Sequence, residues 1–482
     1  MRARGLLAEL WKSAPGRAGV VLLALLCVTA IVVVVTFPPD FGPRIWSNPA
    51  LWADQPRSAP PAWTNFFRRD KRVEHRLQRF TAPTRVVATD SGRDLHYVMK
   101  VMQDTSQAPT FLSVSVSNVT FQSQPSIVSV SLTRPDGATV TLHTESLRGP
   151  RPDESPPIHR LQDEPLRFVV GPEEQSMDQL AARFKDAQRV IVSRDTLNDN
   201  FLPLLFGVPG PAADGTDTRT LRGAYAMDLT VSVADPADTV GSVQLVMGGS
   251  VYGVLGTDSL GRDLAKGLLF GLPIALIIGI ATAIVSTIIG MGLGMTSGYV
   301  GGVTDTIIQR AADIVANVPL LPLLIFLVFI GGARLWLILL ILVVFSWPGL
   351  TIMVRTMVLQ LRTGQEVEAA QALGASGRRV VLRHILPHTA SFVLSQLVFS
   401  APSAILAEAG LSFLGLGDPS LPTWGQILEY GFRTGAVYLG YWWWVVPPGL
   451  AIVITAVTFM FLALGLEPVV DPRLRGRRLW RS

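Results

Sequence analysis

The sequence predicts an all-α polytopic membrane bundle of six helices with a β-rich domain inserted between the first helix and the second. Three observations carry this expectation. Of 482 residues, 49% are hydrophobic and only 16% charged, too apolar for an ordinary soluble chain. Long apolar runs lie at 18–37 and, almost without interruption, from 266 to 465. Between them, residues 38–253 are polar and alternate in the strand period.

The first run holds twenty residues without a charge, preceded by Arg2, Arg4, Lys12 and Arg17. At 1.5 Å per residue, such a run crosses a hydrocarbon core of about 30 Å. A cleaved signal peptide has a shorter apolar stretch and a small-residue exit, whereas Phe37-Pro38-Pro39 follows here, so an uncleaved anchor is expected. Five further spans are read at 268–295, 306–330, 335–354, 389–411 and 442–464. Pro273, Pro319, Pro322, Pro348, Pro402, Pro447 and Pro448 punctuate them, as transmembrane helices tolerate.

Basic residues orient the bundle. The connection 355–388 carries Arg355, Arg362, Arg378, Arg379 and Arg383, and the tail 467–482 carries Arg473, Arg475, Arg477, Arg478 and Arg481. The opposite short connections carry only Arg334 and Arg433. The positive-inside rule therefore places residues 1–17, the 355–388 loop and the tail in the cytoplasm, and 38–253 outside it. The sequence pI of about 9.5 follows from this topology and from anionic lipid, so no nucleic-acid partner is expected. Tyr441-Trp442-Trp443-Trp444 falls at the outer end of the last span, where aromatic rings prefer the interface; one or two of them as core residues is the alternative. Asp305 and Glu467 read as interfacial, and Arg310 with Asp313 as a surface pair.

In the insert, Leu112, Val114 and Val116 alternate with serines, as do Val128, Val130 and Leu132, and Met227 to Val233 repeat the pattern. Arg134-Pro135-Asp136-Gly137 is a turn signal. Ser176 with Gln179 reads as a capping box before a helix whose Met177, Leu180, Ala181 and Phe184 share a face. Residues 148–164 and 209–218 read as loops, and a small sandwich is expected. The run Arg68-Arg69-Asp70-Lys71-Arg72 is a solvated face or a contact with lipid headgroups or a partner. The single cysteine, Cys27, excludes an internal disulfide, and the six histidines show no paired ligand spacing, so no metal site is expected. No Gly-x-x-x-x-Gly-Lys-Ser/Thr, His-Glu-x-x-His or Gly-x-Ser-x-Gly occurs, so no nucleotide cofactor and no catalytic residue is assigned to this chain.

The 355–388 connection carries the function. Strong helix formers run from Glu366 to Leu373, Gly374 and Gly377 supply a break, and a second short helix from Arg378 to Ile385 is expected to stop before Pro387. Glu368-Ala369-Ala370, Gly374, Gly377 and Arg383-His384-Ile385-Leu386-Pro387 resemble the Glu-Ala-Ala-x-x-x-Gly…Leu-Pro signature of permease subunits in binding-protein-dependent ABC importers. Gly256-Thr257-Asp258-Ser259-Leu260-Gly261-Arg262-Asp263 is similar to the motif before the second span in the peptide-permease subgroup, and also makes sense as a capped turn. Gly298 to Gly302 with Asp305, Arg310 and Asp313, Leu411 to Gly417 with Pro422 to Gly425, and Asp471 to Arg475 resemble the same subgroup. The resemblance covers 254–475 and the first span, and points to the C-type permease of dipeptide and oligopeptide importers, with a type I transmembrane domain over 254–466. Nickel and glutathione permeases belong to the same class. A first loop as long as 38–253 departs from the pattern.

That resemblance implies a transporter that is not itself an enzyme. Its partners would be a homologous second permease, two ATP-binding subunits carrying ATP and Mg²⁺, an extracytoplasmic substrate-binding protein and the bilayer. The insert is expected to help receive the binding protein or the sister subunit. Glu408, near the outer end of the fifth span, is a candidate for the translocation path, against snorkelling or a local hydrogen bond. A membrane-anchored receptor leaves five spans unexplained. An ion-coupled carrier calls for paired broken helices with midplane charges.

Overall fold

A computed structural model describes residues 10, 11, 13–152, 154–210 and 218–470; most of the N-terminal segment and the basic tail lie outside the described residues. Two compact units result, one from Met1–Asn48 with Leu264–Ser482 and the other from Pro49–Asp263.

Helix α1 (Ala14–Thr36) opens the first unit. Ser13 caps it by accepting from the Gly16 amide at 3.1 Å. Its side chains are largely exposed, Val35 to 78%, as befits a lipid-facing helix. Cys27 is half-buried and free.

In the second unit, one five-stranded antiparallel sheet is ordered β1 (Arg76–Phe80), β12 (Thr239–Met247), β4 (Leu112–Phe121), β7 (Ile158–Arg160), with β8 (Leu166–Val169) also on β4. The other runs β2 (Arg85–Thr89), β3 (Gly92–Gln103), β11 (Gly223–Val233), β5 (Ile127–Thr133), β6 (Thr139–Ser146). Strands β9 (Gly207–Pro209) and β10 (Thr218–Thr220) form a separate pair. Both large sheets send their alternate apolar residues into one core, including Val114, Val130, Leu229 and Leu245. On β4 the alternation changes phase, because Asn118 takes φ +54° opposite Gly241. Val116 and Val119 therefore both turn inward, while the register with β12 runs on without an inserted residue. Asn tolerates this conformation better than other side chains.

Among the described residues, this unit also holds the short α-helices α2 (Glu174–Gln188), α3 (Arg194–Asp199) and α4 (Phe201–Leu205). The capping box of α2 lies three residues earlier than its sequence pattern predicts. Glu173 is the cap and Ser176 the third helical residue, whose hydroxyl bonds back to the Glu173 backbone. The box motif is nearly symmetric in its chemistry, so the roles of its two ends are exchanged. Within 148–164, expected to be a loop, β7 pairs with β4. The turn Arg134–Gly137 joins β5 to β6, with Gly137 at φ +80°. Arg134 itself is 2% exposed and donates to the carbonyls of Leu204, Leu205 and Gly207 at 2.8–2.9 Å, satisfying the end of α4. Beneath β1, His75 packs beside Tyr252 and Phe111, and burial pulls its pKa down to about 4, partly offset by Asp54.

The chain returns to the first unit through α5 (Leu264–Val300). Then follow α6 (Gly302–Asn317), α7 (Leu320–Gly331), α8 (Leu335–Arg362), α9 (Gln365–Ala372), α10 (Gly377–Val380), α11 (Leu386–Phe413), α12 (Trp424–Arg433) and α13 (Trp442–Val470). Among the described residues, five helices are long and apolar enough to cross a membrane, six if the bent pair α6–α7 counts as one. That pair corrects the expected continuous span over 306–330: the axis turns by 80° at Val318–Pro319. Proline removes a donor and forces the preceding residue into an extended conformation, here Val318 with ψ 126°.

Packing of α5 on α8 is set by Gly290, Gly294 and Gly298. A Cβ on Gly294 would stand 2.7 Å from the Thr351 carbonyl oxygen, and one on Gly298 2.8 Å from Val358 Cβ. Close backbone approach of this kind is how apolar helices associate where lipid is as apolar as they are. Gly19 of α1 meets Leu462 of α13 in the same way. In the aromatic run, Trp443 and Trp444 are core residues, and Trp444 donates to the Ile427 carbonyl at 3.1 Å, while Trp442 remains 43% exposed.

Gly294→Val is expected to lower the thermal unfolding temperature of the detergent-solubilised protein, with overpacking costing about 1–3 kcal/mol. Gly292→Ala, where a Cβ meets nothing within 4 Å, is expected to leave it unchanged. Because His75 titrates near 4 when folded and near 6.5 when unfolded, its contribution is fully present above pH 6.5 and lost as pH falls toward 4. The difference in unfolding free energy between pH 7 and 4.5 should shrink by about 2 kcal/mol in His75→Phe. An unchanged pH slope in this variant refutes that assignment.

Candidate functional site

The connection between α8 and α11 folds as a two-faced knob. Glu366 and Glu368 sit in the first turn of α9, where negative charge complements the exposed amides. Val367 and Ala370 turn inward and join Met295, Val354, Val358, Val380 and Ile385 in one core. Glu368, Ala369 and Leu373 face outward, Leu373 being 89% exposed. Gly374 then takes φ +80°, and its amide donates to the Gln371 carbonyl at 2.9 Å. At this position glycine is required by conformation and not by space, since a Cβ would meet nothing within 4 Å. Gly377 is the opposite case: its Cβ would lie 3.0 Å from the Tyr299 ring.

Beyond Gly377 the expected two-helix arrangement is corrected. Helix α10 passes through a π-helical turn (Val381–Ile385) directly into α11, so Pro387 begins a helix instead of ending one. The wider π turn before it accommodates the proline ring inside this continuous run. Arg383 is exposed on this stretch, His384 and Leu386 are half-buried, and Pro387 is exposed. An open, mainly apolar groove of about 480 Å³ runs between the end of α5 and this turn, lined by Met295, Tyr299, Val300, Arg378, Val381 and Leu382.

Next to the knob stands an ion pair that no local sequence signal announces. Arg355 of α8 grips Asp305 of α6 with two bonds of 2.6 Å. The same carboxylate accepts from Ser297 of α5, whose hydroxyl oxygen accepts from Gln309 at 3.0 Å. Three helices are thereby tied together. In the sequence Arg355 reads as an orienting charge, and Asp305 as an interfacial residue within a segment that resembles the peptide-permease subgroup. Fifty residues separate them, and the packing of α6 on α8 brings them together.

The 256–263 motif lies in the second unit and forms a buried knot. Asp258 is 1% exposed and accepts from the amides of Leu260 and Arg262 at 2.9 Å, and from the Arg262 guanidinium. Burial pushes its carboxyl pKa up, against these partners. The Thr257 hydroxyl bridges the Pro56 carbonyl and the Ala59 amide, and Asp263 pairs back with Thr257. Gly256 and Gly261 take φ +73° and +84°, and a Cβ on Gly261 would lie 2.9 Å from the Trp52 carbonyl oxygen. These bonds join residues 55–59 to 256–263, closing the second unit where its two ends meet.

Glu408 is 2% exposed on α11. Its carboxylate accepts from Ser412 at 2.6 Å and from Thr423, the residue that caps α12 by accepting from the Gln426 amide. Of the readings open in the sequence, the geometry is that of a local hydrogen bond holding the α11–α12 connection. Among the described residues, no group of three His, Cys, Asp or Glu side chains could hold a metal ion.

Residues 288–476 match the family described as "Binding-protein-dependent transport system inner membrane component". The oligopeptide transport system permease protein OppC of Haemophilus influenzae is 36% identical over 225 residues, 46% of this chain and 71% of that protein. This chain belongs to that family. The dipeptide permease DppC of Bacillus subtilis is 35% identical over 176 residues, 36% of this chain and 54% of the relative; that organism's OppC is 37% identical over the same length. The chain thus spans little more than half the length of several curated relatives it matches. A solved chain titled as an inward-facing methionine ABC transporter, MetNI, pairs with 43% of this chain at 20% identity and a TM-score of 0.36. As a family member the protein is a polytopic helical component of the inner membrane, and its knob lies inside the matched region. Residues 49–263, including the 256–263 knot, lie outside the family match.

Asp305→Ala and Arg355→Ala are each expected to destabilise the bundle, and the double variant by less than their sum. A coupling of about 1–2 kcal/mol in a double-mutant cycle of unfolding in detergent is the expected reading. Strict additivity excludes the pair as a tie between helices.

Proposed function

We propose that this protein is a permease subunit of a binding-protein-dependent ABC importer that passes dipeptides or oligopeptides across the cytoplasmic membrane. In this reading α6 and α7 make one broken span, giving six spans with both termini in the cytoplasm and the β-rich unit outside. The basic residues of the 355–388 connection support that orientation. A second, homologous permease completes the path, two ATP-binding subunits dock below, and an extracytoplasmic binding protein delivers substrate. ATP hydrolysis belongs to those subunits. Peptide as the substrate class rests on the names of the relatives, and nickel or another small solute is the alternative for the same machinery.

The observation that carries the proposal is the two-faced α9. Val367 and Ala370 fix it to the bundle core while Glu368, Ala369 and Leu373 present a convex outer face followed by the Gly374 turn. Such an element moves with the bundle and offers itself to a groove on a partner. For nucleotide to drive transport, binding must favour one packing of the bundle over the other, and a rigidly attached knob supplies that link.

Gly374→Val tests it. The φ of +80° penalises a β-branched residue by about 1–2 kcal/mol, confined to the turn because the surrounding space is open. Membrane insertion and co-purification of the ATP-binding subunits are expected to persist while ATP hydrolysis is uncoupled from uptake. Full ATP-driven uptake by this variant, or uptake that follows an ion gradient with no associated ATPase, overturns the proposal.

A further inference from the structure

The β-rich unit carries a loop built to hold apolar and cationic side chains away from its core. Its base is a 3-10 turn, Ala62–Phe67, fastened to a neighbouring turn: the Ala62 amide donates to the Gly253 carbonyl and Trp63 Nε1 to the Val254 carbonyl, both at 2.9 Å. Its neck is Asn65, 9% exposed, whose amide nitrogen donates to the Arg72 carbonyl at 3.0 Å while its oxygen accepts from the Arg72 amide at 3.1 Å. Everything between is tip. Phe66 and Phe67 are 88% and 85% exposed, and Phe67 is steadied by an edge-to-face contact with Trp63. Arg68, Arg69, Asp70 and Lys71 follow, all exposed, and no carboxylate is paired with Arg68, Arg69 or Lys71 among the described residues.

A buried amide that fixes a loop, a loop that buries nothing of its own, and unneutralised cations beside bare phenyl rings together call for an external surface. We infer that the 63–72 loop is a membrane-surface anchor: Phe66 and Phe67 enter the interfacial layer of the bilayer, and Arg68, Arg69 and Lys71 bind anionic phospholipid headgroups. Aromatic rings with adjacent basic residues are the composition that favours this layer. A fluid surface accepts bare rings without a matched cavity, whereas an aromatic anchor for a protein needs a matching pocket on the partner. The charge is complementary to anionic lipid, with Asp70 the one acidic residue at the tip. Gly253 and Val254, on which the loop rests, lie shortly before Leu264, where the chain enters an apolar helix long enough to span. The inference rests on membrane attachment of the chain and not on transport, so it stands or falls separately from the proposed function.

The test uses the full chain in proteoliposomes, with Cys27→Ala and a nitroxide on Phe66→Cys or, separately, Phe67→Cys. Ile191→Cys, at a site 81% exposed, serves as the aqueous control. In phosphatidylcholine vesicles containing phosphatidylglycerol, labels at 66 and 67 should collide preferentially with oxygen, and the control with a water-soluble nickel chelate. In pure phosphatidylcholine, or on replacing Arg68, Arg69 or Lys71 by Gln, the docked-to-free ratio should fall by about fivefold per cation removed. Labels at both positions that match the control in both vesicle types overturn the inference. So does protection from both reagents at once, which would assign the loop to a protein partner.

Discussion

Everything in the membrane unit depends on how closely α5 and α8 approach. Lipid tails offer apolar helices no reason to leave them, so association rests on contact between backbones, and Gly290, Gly294 and Gly298 remove the side chains that would keep α8 away. The knob follows from this contact. Val354 and Val358, which fill the glycine notches, also underlie Val367 and Ala370 of α9. Tyr299, one residue past the last notch, stands against Gly377. The Arg355–Asp305 pair sits on the same seam and draws α6 into it. A single line of small residues therefore positions the helix pair, the ion pair and the outward-facing turn together.

Much of the architecture was legible in the sequence because hydropathy and strand period are local signals. The apolar runs coincide with helices, although α8 and α13 extend past the expected ends, since a helix need not stop where its apolar stretch does. Strand patterns at Val114, Val130 and Leu229 point into the core that the two sheets share. What was not legible is direction and distance. Hydropathy is blind to an 80° turn, so it gives one span over 306–330 across the break at Val318–Pro319. Pro387 marks a helix boundary in either sense, and sequence alone does not say which side is helical. The partners of Glu408 and Asp305 arrive from other elements, Thr423 across a turn and Arg355 from another helix. A buried acid near a serine four residues on was the available signal for the first.

The 256–263 motif separates two kinds of distinctiveness. Its residues read as a functional signature, yet the printed geometry of Thr257 and Asp258 is that of residues closing the β-rich unit upon itself. Asp258 organises a turn, Thr257 joins two chain segments, and Gly261 permits a backbone contact. A pattern of charged and small residues can be demanded by the geometry of closure as strictly as by a ligand. The knob differs in leaving Leu373 and Glu368 turned outward with nothing of their own unit against them.

The uninterrupted run from Gly377 to Phe413 makes the knob one end of a rod 37 residues long, about 55 Å from tip to tip. A lever of that length converts a tilt of about 5° at one end into a sweep of about 5 Å at the other. At the far end Glu408, which accepts from Ser412, also holds Thr423, the cap of α12, so the sweep is delivered to α12 and is not lost in a slack connection. Where the rod stays regular, between the π turn and Pro402 and beyond, its length makes it a displacement amplifier.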